Sequence, residues 1–158
     1  MEKDSLYNDH AVAIGRLSIA FNELEQYLLL AIGTLLGDPT VGVVVGGDLT
    51  YAQRLALINK LIEHRQIDVS NLSDFLSRLE NIRGERNRYL HSEYELDLDD
   101  NEELVGVLVK DNRRRRAKTV SFTVSDPNEI MRAAREARNL ASAFPFMLDQ
   151  LMPPIKEA

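Results

Sequence analysis

The stretch ERNRYLHSEY, residues 85 to 94, places Arg86, Asn87 and His91 within six positions of one another. Arginine offers a rigid fork of donors matched to phosphate oxygens, and histidine, with an ordinary pKa of about 6.5, takes and returns a proton at neutral pH. Metal-free cleavage of RNA needs those two groups: a base to activate the ribose 2′-hydroxyl and a cation to stabilise the charge that gathers on the phosphorane. At about 100° per residue, Arg86 and His91 lie about 140° apart around a helix, whereas Asn87 and His91, at i and i+4, share a face. The spacing therefore predicts that the Asn87 amide holds the imidazole in one tautomer while Arg86 points sideways toward a neighbouring element. Two copies of this helix meeting on a twofold axis would bring both arginines and both histidines into one cleft. The same residues also have a structural account, because Arg83, Arg86 and Arg88 near a helix C-terminus complement its dipole and a terminal histidine is a common cap.

Other chemistries fail on spacing. DLDDNEEL has the carboxylates of a calcium loop, but counted from Asp97 its sixth position is Glu102, where glycine is needed, and its twelfth is Leu108, where a bidentate carboxylate is needed. GVVVGG lacks the Lys-Ser/Thr that completes a phosphate-binding loop. His10, His64 and His91 have no histidine partner at i+4, so function without a metal or cofactor is expected. Cysteine is absent, which removes disulfides, thiolate metal sites and a cysteine nucleophile and fits a reducing cytoplasm. With 19 Lys plus Arg against 25 Asp plus Glu the net charge is −6, which argues against nonspecific coating of nucleic acid but allows a local basic site. Arg113, Arg114, Arg115 and Arg116 form one such cluster; as a turn they would solvate easily and protect strand edges, and as an arm they would grip a phosphate backbone.

The elements that must position these residues follow from periodicity and punctuation. Val12, Ile14, Leu17, Phe21, Leu24, Leu28, Ala31 and Leu35 follow one side of a helix from Leu6 to Leu36, which Gly37 stops. Its most apolar run, YLLLAIGTLL, is short of the roughly twenty residues a membrane span needs and reads as helix core, and the first ten residues have no secretory-signal pattern. Asp38-Pro39 starts a short helix that Gly46-Gly47 ends, although its valines favour strand. Thr50 and Gln53 form a capping box for a helix to about Arg65, and Ser70 or Asn71 caps the next, with Leu72, Phe75, Leu76, Leu79, Ile82 and then Arg86 or Tyr89 on successive turns. After His91 the pattern alternates: Tyr94, Leu96 and Leu98 share one face, and Glu93, Glu95, Asp97 and Asp99 the other. Residues 93 to 124 read as a small antiparallel meander, followed by a last helix opened by Ser125 or Asp126 with Pro127 and ended by Pro153-Pro154. The fold class is thus mainly α: one domain of 158 residues, an antiparallel helical bundle with the meander inserted before its last helix.

Within that frame RNRYLH, at the end of the third major helix, resembles the R-x4-6-H motif of the HEPN superfamily (higher eukaryotes and prokaryotes nucleotide-binding), including the polar residue that commonly follows the arginine. The helix order and the first helix, FNELEQYLLLAIGTLL, are similar too; the meander is not clearly part of the resemblance. The resemblance implies a homodimer whose paired motifs form a metal-independent endoribonuclease site, as in toxins, phage-defence systems and RNA-processing factors. Arg86 and His91 would be catalytic and Asn87 supporting, with Arg83, Arg88 and Arg113 to Arg116 as cations along the RNA, and with an antitoxin protein as a further partner. HEPN domains that have lost catalysis serve as nucleotide-binding or interaction modules, which is the alternative. Members paired with a nucleotidyltransferase often carry H-x-Y; here the tyrosine, Tyr94 in HSEY, is one residue further on and also fits the apolar face of the first strand.

Overall fold

The computed structural model describes residues 3–68, 70–101, 104–110 and 122–152. These residues form five helices, α1 (Lys3–Leu36), α2 (Pro39–Gly46), α3 (Tyr51–Arg65), α4 (Leu72–Leu90) and α5 (Pro127–Leu151), with strands β1 (Glu93–Leu98), β2 (Leu104–Lys110) and β3 (Phe122–Val124) between α4 and α5. The fold is mainly α, a helical bundle with a three-stranded antiparallel sheet before the last helix.

Local chemistry sets the boundaries. Gly37, at φ 83°, closes α1 through bonds from Gly37 N to Thr34 O and from Asp38 N to Gly33 O, the paired closure that a left-handed residue after a helix permits. Asp38 then caps α2 by accepting from Thr40 N and Val41 N. The Thr50–Gln53 capping box opens α3 in both directions. Asn71, at φ 63°, offers its carbonyl to Phe75 N at the start of α4, and Asp126 accepts from Asn128 N at the start of α5. Of the two candidates for the α5 cap, Asp126 is the residue used.

The chain separates into two compact units, each drawing on α1, α4 and α5. One comprises residues 1–21 and 82–136 and contains the sheet, ordered β1-β2-β3. Its buried residues include Ala13, Leu17, Phe21, Ile82, Tyr89, Val107, Val109 and Ile130. Tyr94 pairs with Val109 and Leu96 with Val107, but the register shifts between Asp97 and Leu98, and Leu96 is 54% and Leu98 47% exposed, so the shared apolar face expected for Tyr94, Leu96 and Leu98 is only partly formed.

The other unit comprises residues 22–81 and 137–158. Leu24, Leu28, Ile32, Leu35, Leu55, Ile58, Leu79, Leu140 and Phe144 are buried there, Phe144 stacking on Tyr27 and meeting Phe75 edge-on. Its α2 turns glycines inward: Gly42 and Gly46 are buried while Val43 and Val44 are exposed. A Cβ on Gly42 would lie 2.5 Å from Gly33 Cα, so the two helix backbones approach to a distance no side chain allows. Arg54 fastens the end of α2, donating from Nε to Gly46 O at 2.9 Å and from Nη2 to Gly47 O at 3.1 Å. Ser5–Leu36 is long and apolar enough to cross a bilayer by length and composition, and 44% of its most apolar 18-residue window is buried inside the protein.

Candidate functional site

The motif lies within the sheet-containing unit, where α4 gives way to β1. Helix ends leave carbonyls without intrahelical donors. Here two side chains from beyond the helix supply them: Ser92 Oγ donates to Arg88 O, and Tyr94 OH donates to Tyr89 O at 2.7 Å. Those two bonds hold the chain back against the last turn it has just left. His91 stands between the helix and these anchors, one residue past the end of α4.

That boundary changes the geometry expected of the motif. A continuing helix would separate Arg86 from His91, but the chain turns at His91 and brings its Nε2 to 2.7 Å from Arg86 Nη1. Asn87 Oδ1 accepts from the same Nη1 at 3.0 Å, so the asparagine orients the arginine. This replaces the arrangement in which Arg86 pointed away to another element. A guanidinium nitrogen only donates, so His91 Nε2 is the acceptor and the imidazole proton belongs on Nδ1.

Arg86 is held from a third side. Its guanidinium carbon lies 5.1 Å from the centre of the Phe21 ring, and Phe21 is 2% exposed. The aromatic face attracts the cation and leaves less of it in contact with water. Arg86 Nε is buried with no hydrogen-bond partner. Periodicity marked Phe21 only as helix core; its role beneath the arginine depends on a tertiary approach between α1 and α4 with no trace in local spacing. His91 itself is exposed, so the pair opens to solvent on the imidazole side.

The other expected cations are differently placed. Arg83 is one turn before Arg86 on α4. Arg88 sits with its guanidinium carbon 5.2 Å from the centre of the Tyr89 ring. Arg113, Arg114, Arg115 and Arg116 lie outside the described residues. Of the acidic residues that follow the motif, Glu93 is paired with Lys110 at 2.6 Å across β1 and β2, and this hydrogen bond raises the Lys110 pKa. Burial pushes the Tyr94 phenol up to about 12, with Tyr89 adding to the shift and Arg88 opposing it. Burial likewise raises Tyr89, again against the pull of Arg88.

Among the described residues no three His, Asp or Glu side chains converge as metal ligands. Comparison with protein-family models, with curated proteins and with solved structures found no match.

Proposed function

We propose that the chain is a metal-independent endoribonuclease of HEPN type, acting in the cytoplasm as a homodimer, with a role such as a toxin or phage-defence effector. The observation that carries this reading is the 2.7 Å approach of Arg86 to His91, with Asn87 steering the arginine. A donor-only cation and a proton-accepting imidazole side by side on an exposed edge supply the two functions that transesterification of RNA requires.

His91 Nε2 takes the proton of the ribose 2′-hydroxyl as O2′ attacks phosphorus. The O2′–P bond forms and the P–O5′ bond breaks. The departing O5′ is protonated by an imidazolium, either the one just formed or that of the partner protomer. The products are a 2′,3′-cyclic phosphate and a 5′-hydroxyl, and no water is consumed. Arg86 donates to the nonbridging oxygens, where charge accumulates in the transition state. DNA is excluded as substrate because it lacks the nucleophile.

The test is incubation of the purified protein with labelled mixed-sequence RNA in excess chelator, beside His91→Ala and Arg86→Ala. Expected is chelator-resistant cleavage leaving cyclic phosphate ends, with each variant folded and reduced in kcat by at least about 10²-fold, the effect of losing a proton-transfer group or a preorganised donor. Saturable RNA binding by folded wild type with no product would favour a non-catalytic binding module. That second reading draws on the acidic residues of β1, of which Glu95 is exposed close to the motif.

A further inference from the structure

In the resting chain His91 and Arg86 occupy each other. The Nε2 lone pair that would accept a substrate proton faces Arg86 Nη1 at 2.7 Å, and Nη1 is also engaged by Asn87 Oδ1 at 3.0 Å. Two hydrogens on that nitrogen therefore serve two acceptors, and neither is left for a phosphate. The same pose leaves Arg86 Nε buried without an acceptor. A buried donor without an acceptor is unfavourable, so this pose satisfies the guanidinium incompletely.

We infer that Arg86 caps His91 in the free protein, and that an oxyanion of the phosphate class uncaps it by drawing the guanidinium away from Nε2. A tetrahedral oxyanion offers several acceptors at once and can engage more of the guanidinium donors than a single imidazole nitrogen can, Nε included once the side chain shifts. Phe21 remains the apolar face against which the guanidinium turns. Ligand binding and release of the base are then one event, because the anion and the imidazole compete for the same N–H. Without a phosphate the base stays masked and has no free lone pair with which to take a proton. The inference rests on reading the pair as a phosphate site, but it does not require that RNA be cut.

Acylation by diethyl pyrocarbonate reads the availability of an imidazole nitrogen directly. His64, exposed near the end of α3, serves as internal reference. His10, 3% exposed with both ring nitrogens against the Leu6 and Ser125 carbonyls, provides a protected control. Site-resolved rates would be measured by mass spectrometry at pH 7, with inorganic phosphate titrated at constant ionic strength. The expected result is a ratio of His91 to His64 rates that rises several-fold with phosphate. In Arg86→Ala the ratio should be high from the start and indifferent to phosphate. If that variant fails to fold, imidazole ¹⁵N spectra of the wild type decide, since His91 Nε2 should lose its accepted hydrogen bond as phosphate is added. A wild-type ratio that is unchanged or lowered by phosphate overturns the cap, and so does a folded Arg86→Ala no more reactive than wild type. Uncapping without RNA cleavage would instead overturn the ribonuclease reading alone, and cleavage with a phosphate-indifferent His91 would overturn the cap alone.

Discussion

At the scale of single residues, the turn that returns His91 to Arg86 depends on Tyr94. Its phenol donates to Tyr89 O at 2.7 Å, and burial raises its pKa to about 12. The pH dependence of stability follows from the sign of that shift. An unfolded tyrosine ionises near its ordinary value of about 10, so Tyr94 favours the folded state fully below that pH. Between about 10 and about 12 the unfolded chain releases its proton while the folded chain retains it, and the stabilisation is lost as pH rises. Tyr94→Phe should cost roughly 1 kcal/mol at pH 8, the usual worth of one hydrogen bond, yet flatten the decline between pH 8 and pH 11. Urea unfolding followed by circular dichroism at both pH values measures this. A decline as steep in Tyr94→Phe as in the wild type would assign the alkaline sensitivity to another group. The variant should also loosen the Arg86–His91 approach, because one of the two bonds that fasten the turn is gone.

Among the elements, caps and breaks were legible in the sequence because their chemistry is local. Gly37, Asp38 with Pro39, and Thr50 with Gln53 do in the structure what their types and spacing require. Coverage of an apolar face was not legible in this way. Val12 fits the expected stripe of α1 but is 52% exposed, while Ala13 is fully buried; one position is about 100° of helix, and hydropathy alone does not decide which neighbour faces a partner. In the candidate site Arg86, Asn87 and His91 were legible as chemistry, but not their pairing, which turns on α4 stopping at Leu90 and on the bonds that fold the chain back. In α2 the usual rule is inverted, since glycine is inside and valine outside. This inversion predicts opposite effects from one kind of substitution. Gly42→Ala would place a methyl 2.5 Å from Gly33 backbone atoms that cannot yield, and should destabilise by about 1–3 kcal/mol despite alanine's better helix propensity. Gly15→Ala, in α1 with nothing within 4 Å of the added carbon, should stabilise by about 0.5–1 kcal/mol. Denaturant midpoints of the two variants at unchanged slope check the pair, and a Gly42→Ala no less stable than the wild type would contradict the close-packed account of α2.

For the whole molecule, the question is whether a site of this kind is completed within one chain or between two. Sequence symmetry allowed either, because two helices related by a twofold axis could exchange arginines across a cleft. The observed approach of Arg86 to His91 lies within a single chain, so a dimer would carry two complete pairs. Partner protomers would then contribute the cleft, the exclusion of water and a second imidazolium, but not the cation beside each base. Mixed dimers separate the two designs. When Arg86→Ala and His91→Ala chains are unfolded together and refolded, random pairing makes about half of the dimers mixed. If each base used its partner's arginine, every mixed dimer would regain one intact pair, and the mixture would recover about a quarter of the wild-type sites. If the pair closes within the chain, no dimer in the mixture holds an arginine and a histidine together. The expected result is therefore cleavage equal to the mean of the two variants assayed alone, with size-exclusion chromatography of differently tagged chains showing that mixed dimers formed. Recovery toward a quarter of wild-type activity would mean that the intrachain contact is only the resting arrangement, and that Arg86 crosses to the partner when RNA is bound.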